Sequence, residues 1–562
     1  MLATVDAIVV GSGITGGWAA KELTERGLTV LMIERGHPVE HGVDYKGEHK
    51  APWEQAFRGR GDRQAALRDY PRNSQVYAFS EGNESFWAKD KDVPYTHPEG
   101  KKFAWHRSGG FGGRSLLWGR QVYRLSDLDF AANAQDGHGV DWPIRYADIA
   151  PWYDHVESFI GVSGQAEGLP QLPDGRFQKP MQFNCAEAHV RKKIAEKFSD
   201  RRMTIGRVAV LTEPLGDRAA CHYCGPCHQG CSTGSYFSTQ SSTLPAAQAT
   251  GRLTTLTDTL VERIEYDADT NRATGVAVVD TKTGTRRIIG AGMLFLCAST
   301  IPTAQLLLHS TSESFPTGFA NSSGVVGRYL MDHHLGLSGM GLLPTVRGSE
   351  EFGNRPNGIY VPRFRNLSGG ESHPDFIRGY GYQGRGTQPG WEMGLSLPGV
   401  GADWKAALLG PKPWMMSFSG FGECLPYVTN RVTLDPARKD RWGIPQPHID
   451  MAWGENERVM RQDMAAEAKA MLEASGAVMI QTSEEMSDPG AGIHEMGTAR
   501  MGRDSATSAL NAWNQTHDVP NVYVTDGSCM TSAAWQNPSL TWMALTARAA
   551  KHAAENVKRK FT

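Results

Sequence analysis

Residues 7–16 read Ala7-Ile8-Val9-Val10-Gly11-Ser12-Gly13-Ile14-Thr15-Gly16, and this stretch decides the fold. The apolar run Ala7–Val10 fits a short strand buried on both faces. Gly11, Gly13 and Gly16 then match G-x-G-x-x-G, after which Trp18, Ala19 and Leu23 fall on the inward face of a helix ending near Gly27. Val30-Leu31-Met32-Ile33 supplies a second strand, with Glu34 at its end. The glycines permit a tight turn and close approach to a pyrophosphate, which the helix N-terminus attracts through free N–H groups and its dipole. Glu34 follows Gly13 by 21 residues, the reach at which an acid meets a ribose hydroxyl and repels a 2′-phosphate. Together these elements predict a dinucleotide site and disfavour NADP. FAD and NAD are not separated by the motif.

Working outward, a chain of 562 residues exceeds one ordinary core, so two or more domains are expected. With 40% hydrophobic and 21% charged residues the composition is ordinary for a globular protein, and a formal charge of −2 leaves no basic footprint for nucleic acid. No apolar run approaches a membrane span. The N-terminus lacks a charged n-region and enters a strand at once, so no secretory signal is expected in this chain. Residues 40–105 read as loops with small elements, and a second glycine-rich stretch follows at 108–124. Helical patterning marks Ile149–Phe159 and Glu187–Phe198, and Ala273–Val279, Arg286–Gly290 and Met293–Cys297 alternate as strands. Residues 335–450, including Met415–Phe418, suggest an antiparallel sheet; Val522–Val524 and Leu540–Lys558 return to strand and helix. The pattern is a dinucleotide domain interrupted by a sheet-rich insertion.

Three further segments resemble the glucose–methanol–choline (GMC) oxidoreductases. Gly112-Gly113-Arg114-Ser115-Leu116-Leu117-Trp118-Gly119 is similar to the family's flavin-contacting segment. Asn321–Gly324 through Asp332-His333, preceded by Ala298–Pro302, forms the second. The third pairs His494-Glu495-Met496-Gly497-Thr498 with Asp526-Gly527-Ser528 and Asn537-Pro538-Ser539-Leu540-Thr541. The resemblance implies an α/β fold with an α+β insertion: a Rossmann-like FAD-binding domain (1–40, 100–135, 240–334, 490–562) and an antiparallel-sheet substrate domain (41–99, 136–220, 335–489). It implies His494 as catalytic base, Asn537 as its partner, and FAD contacts from Gly113, Ser115, Leu117, Trp118, Asp526, Gly527 and Pro538. Leu117 stands where some relatives carry a histidine bonded to the flavin, so non-covalent FAD is expected. The residue types suit the chemistry. Alcohol oxidation removes a hydroxyl proton and a hydride; imidazole titrates near neutral pH, and a neutral amide holds the substrate oxygen without competing for the proton.

Cys221, Cys224, Cys227 and Cys231 form C-x₂-C-x₂-C-x₃-C at 221–231, the spacing of a bacterial ferredoxin run, except that Ser232 replaces the usual proline. An Fe–S cluster, 3Fe–4S or 4Fe–4S, is the first expectation; zinc and plain thiols or disulfides stay open. A one-electron carrier beside a flavin points to an external acceptor, a cytochrome or quinone. Among GMC relatives the bacterial multi-subunit sugar dehydrogenases have this design, and the Gly113–Arg120 run is most similar to the glucoside 3-dehydrogenase type. That resemblance implies a sugar substrate oxidised at carbon 3, a small partner subunit, and either co-export to the periplasm with that partner or a cytoplasmic location. A glucose- or gluconate-type dehydrogenase acting at another carbon, an oxygen-using pyranose or glycoside oxidase, and a non-catalytic flavin/Fe–S electron-transfer subunit are the competing readings. Trp535, Gln536 and Gln383 are candidate substrate contacts.

Overall fold

The computed structural model describes residues 5–348, 353–367, 369–370, 372–390, 394, 397–410 and 412–561, with side chains described as far as residue 556. The Val5–Val10 strand runs parallel to Val30–Ile33 on one side and to the Arg286–Leu296 strand on the other. Its last four residues and all of Val30–Ile33 are buried, as an apolar run between two covering layers requires. Between them the Ile14–Glu25 helix presents Trp18, Ala19 and Leu23, all fully buried. Each large apolar side chain buried in this way contributes about 1.5–3 kcal/mol.

The sheet has seven strands, in the order Leu253–Leu256, Val30–Ile33, Val5–Val10, Arg286–Leu296, Arg272–Asp280 and Thr259–Asp267, with Val522–Val524 also on Arg286–Leu296. Two strands expected at 286–290 and 293–297 are one continuous strand, Arg286–Leu296. Its first half pairs antiparallel with Arg272–Asp280 and its second half parallel with Val5–Val10, so Gly290 and Gly292 mark a change of partner rather than a break. Helix Ser539–Phe561 packs on Ile14–Glu25 and on Tyr146–Ile160.

The second sheet has six strands, in the order Val478–Thr482, His334–Leu343, Trp414–Gly422, Tyr380–Thr387, Ile359–Val361 and Thr204–Ile205, antiparallel throughout. Trp414–Gly422 alternates strictly between buried and half-buried positions. Trp414, Met416 and Phe418 share an apolar cluster with Tyr380, Tyr382, Met460 and Met464, the last two on helix Glu455–Ala474. The opposite parity carries Phe421, whose backbone is in register with Leu335 and Gly381. Leu335, Gln383 and Phe421 face the first sheet across a cavity. No helix among the described residues is long and apolar enough to cross a membrane.

The first turn shows why two of its glycines differ. A Cβ on Gly16 would lie 1.9 Å from the backbone oxygen of Gly11, whereas one on Gly13 would meet nothing within 4 Å. Gly13 has φ −67°, which alanine adopts freely. Gly16→Ala is therefore expected to destabilise the cofactor-free protein by about 1–3 kcal/mol through overpacking. Gly13→Ala should leave that stability unchanged and weaken dinucleotide binding instead. Urea unfolding without cofactor and a cofactor titration separate the two; equal effects in both assays would contradict this account.

Candidate active site

A cavity of ≈ 340 Å³ runs from the Gly11–Thr15 turn to the second sheet. Gly11, Gly13, Glu34, Gly113, Ser115, Leu117, Trp118, Asp526, Gly527, His494, Asn537 and Gln383, all expected at the site from sequence, lie on its wall. Glu34 accepts from the Ser12 N–H (3.0 Å) and Ser12 hydroxyl (2.7 Å), which holds the acid against the turn. Asp526 accepts from Ser528 N–H (2.9 Å) and from the Thr303 hydroxyl (2.6 Å). Gly16 lies behind Gly11 and lets the helix approach the turn, and Pro538 is buried between two wall residues, Asn537 and Ser539.

Two expected substrate contacts are corrected. Trp535 and Gln536 are 1% and 0% exposed and do not line the cavity. Trp535 stacks on Tyr360, which stacks on Tyr123, while Gln536 donates to Asp129 (2.8 Å). Both side chains point into the core behind the loop, because Ala534 takes a left-handed conformation (φ 55°) that turns the chain just before them.

At the far end of the cavity four side chains form a line. Gln383 Nε2 lies 2.6 Å from Asn537 Oδ1, Asn537 Nδ2 lies 3.3 Å from His494 Nε2, and His494 Nδ1 lies 2.8 Å from His333 Nδ1. His333 is fully buried and its Nε2 meets the Ala534 carbonyl at 2.8 Å. Burial, then His333 and Arg114, holds the His494 pKa well below the usual imidazole value, which favours the neutral ring. Arg114 donates to Glu495 (2.7 Å), to the Ser299 hydroxyl (2.9 Å) and to the Ile493 carbonyl (3.3 Å), fastening the flavin-segment turn to the histidine loop.

Asp332 and His333 stand in a motif whose sequence alone assigns them no role. Asp332 is buried and accepts three backbone N–H groups, from Gly490, Gly492 and His494, at 2.9–3.0 Å. Burial and the Glu495 carboxylate push its pKa up to about 7, against these three donors, which favour the charged form. The available signal was the run Asp332-His333-His334 at a strand start, three ionisable residues where burial demands partners.

The cavity suits a large polar cofactor. His106 Nδ1 and Trp542 Nε1, both on its wall, are buried and have no hydrogen-bond partner among the described residues. Such atoms are costly unless a ligand satisfies them. The four cysteines share one loop beside this wall: His228 Nδ1 donates to Leu117 O (3.1 Å), and Arg120 Nη1 donates to Trp118 O (2.6 Å) and to Cys227 O (3.4 Å). Among the described residues, no three His, Cys, Asp or Glu side chains are arranged to hold a metal ion as they stand.

An amide at Asp332 offers one accepting oxygen and turns an NH₂ toward an N–H. Asp332→Asn should therefore cost about 2–4 kcal/mol in parallel urea unfolding curves. An unchanged stability would show that the three N–H bonds do not hold the loop.

Comparison with known proteins agrees with this geometry. Residues 5–335 and 426–546 match the N- and C-terminal patterns of GMC oxidoreductases. The chain is 29% identical to 2-methyl-1,2-propanediol dehydrogenase of Mycolicibacterium austroafricanum, over 99% of this chain and 96% of that one. It is 24% identical to the fructose dehydrogenase large subunit of Gluconobacter japonicus, covering 97% of each. The crystal structure of pyridoxine 4-oxidase from Mesorbium loti superposes with a TM-score of 0.61 at 15% identity, over 98% of this chain and 99% of that one, a likeness of fold. The chain belongs to the GMC oxidoreductase family, with a Rossmann-type FAD-binding region, an antiparallel substrate-binding sheet and the activity of an FAD-dependent enzyme on CH–OH groups.

Proposed function

We propose that the enzyme is a sugar dehydrogenase that oxidises a ring hydroxyl, carbon 3 of glucose or a glucoside, and passes its electrons through an Fe–S cluster to an external acceptor. The observation that carries the chemistry is the His494–Asn537 pair at the cavity wall, with Gln383 donating to the Asn537 oxygen. A hydroxyl seated between the pair donates its proton to His494 Nε2 while Asn537 Nδ2 donates to the same oxygen. The O–H bond breaks, an N–H bond forms, and the carbon loses a hydride. The Gly11–Gly16 turn with Glu34, Ser115, Trp118 and Asp526 would hold FAD, which would supply the hydride acceptor. Leu117 offers no nucleophile, so the cofactor is held without a covalent bond at this position. Leu335 and Phe421 close the apolar side of the pocket and keep water from the reacting carbon.

The cysteine loop fits an Fe–S cluster in donor type and number. Gly225 and Gly230 turn it with φ of +105° and +118°, and Tyr223 N–H lies 3.4 Å from Cys221 Sγ, a donor of the kind that tunes cluster sulfur. Burial and mutual repulsion push the Cys221 pKa to about 11 and raise Cys224 and Cys227, so the free thiols hold their protons until a metal displaces them. The cluster would supply one-electron transfer. The hydrogen bonds from His228 to the Leu117 carbonyl and from Arg120 to the Cys227 carbonyl tie the loop to the Gly113–Arg120 segment, in support of that role. A relative named as a large subunit supports a small partner subunit. A small aliphatic diol is the second reading, favoured by the 29% identical relative named for one.

The test is anaerobic reduction of FAD-loaded enzyme by methyl glucoside, glucose and 2-methyl-1,2-propanediol, with product analysis. A 3-keto sugar supports the first reading, exclusive reduction by the diol the second, and rapid oxygen consumption without added acceptor overturns the dehydrogenase. His494→Ala should slow flavin reduction about 10²–10⁴-fold while FAD stays bound; an unchanged rate would remove His494 as base. Cys224→Ser should leave flavin reduction at the wild-type rate and lower iron content and turnover with protein acceptors. Iron content and turnover equal to wild type would reduce the loop to a structural role.

A further inference from the structure

The direction of every hydrogen bond along the Gln383–Asn537–His494–His333 line follows from its last member. The Ala534 carbonyl only accepts, so His333 Nε2 carries a proton and donates to it. Burial pushes the His333 pKa down to about 4, so the ring is neutral and its Nδ1 bears a lone pair. His494 Nδ1, 2.8 Å away, must then donate. The neutral His494 ring is left with a bare Nε2, which faces the Asn537 NH₂, and this frees Asn537 Oδ1 to accept from Gln383. One tautomer satisfies all four contacts. The opposite one would set two lone pairs against each other at His333 and two N–H groups against each other at Asn537.

We propose that His333 is a positioning residue for the oxidation: by accepting the His494 Nδ1–H it holds Nε2 bare toward the substrate hydroxyl and shares the positive charge that arrives with the proton. This rests on the reading of His494 as base. When the alcohol O–H breaks and the proton moves to Nε2, His494 becomes an imidazolium whose Nδ1–H still points at the His333 lone pair. The charge therefore meets an acceptor already in place inside a buried site, where reorganisation would be costly. A second observation supports the arrangement. Ala534 sits at φ 55°, strained for a residue with a Cβ, and its N–H donates to Glu423 (3.2 Å), which is itself ion-paired with Arg378 (2.8 Å). The backbone is held off its ordinary conformation at the position whose carbonyl orients the His333 ring.

The test compares wild type, His333→Leu, His333→Gln and His494→Ala. Glutamine keeps an acceptor for His494 and a donor for Ala534; leucine removes both. In single-turnover reduction of FAD-loaded protein, His333→Leu should lower the rate at saturating alcohol on the order of 10²-fold or more, with alcohol affinity and FAD content unchanged. His333→Gln should restore it to about tenfold below wild type or better. Independently of turnover, ¹⁵N NMR of histidine-labelled protein, with His494→Ala identifying the signal, should show His494 protonated at Nδ1 in wild type and His333→Gln and no longer fixed there in His333→Leu. A wild-type rate in His333→Leu, a glutamine variant as slow as leucine, or an unchanged His494 tautomer would overturn the proposal. If His494→Ala itself reduces flavin normally, the base reading falls, and the NMR result still decides whether His333 sets the tautomer.

Discussion

One backbone carbonyl, that of Ala534, governs the polarity of the active site. It accepts from His333, and from that single obligation the orientation of two imidazoles and an amide follows. Histidine and asparagine side chains are ambiguous donors and acceptors in isolation. A chain of them becomes unambiguous only when one end is tied to a group that cannot reverse. The strain at Ala534 and the buried Glu423–Arg378 pair beneath it are parts of that tie.

The rest of the architecture brings this line to the cavity from different directions. His333 precedes the His334–Leu343 strand of the second sheet, and Gln383 lies on its Tyr380–Thr387 strand. Asn537 stands just before the Ser539–Phe561 helix, which packs on the first βαβ unit. His494 comes from a loop with no regular structure of its own, and Asp332 supplies its missing order by accepting three N–H groups. A loop held by one carboxylate is sensitive to a single substitution.

Much of this was legible in the residues. The Gly11–Gly16 turn, its flanking strands and Glu34 dictate the dinucleotide half, because the spacing puts Gly11 and Gly16 where no Cβ fits. The antiparallel sheet was visible in the alternation through Met415–Phe418. What could not be read was which way a side chain points after an unusual backbone turn. Trp535 and Gln536 adjoin Asn537 in sequence, yet the left-handed Ala534 sends them into the core. His333 was hidden for a related reason: its partners, His494 and Ala534, lie 161 and 201 residues away, and hydrogen-bond direction is a property of the folded set. The change of partner within Arg286–Leu296 was equally non-local, since the chain does not break where its neighbours do.

The central claim is that a CH–OH group gives its proton to a neutral His494 and its hydride to the cofactor. The most direct measurement is stopped-flow bleaching of FAD-loaded enzyme, without oxygen, by an oxidisable alcohol or sugar deuterated at the reacting carbon. The account predicts bleaching slowed by a primary isotope effect and a carbonyl product formed one for one with reduced flavin. Absence of isotope-sensitive bleaching with every sugar, diol and simple alcohol tried would contradict it.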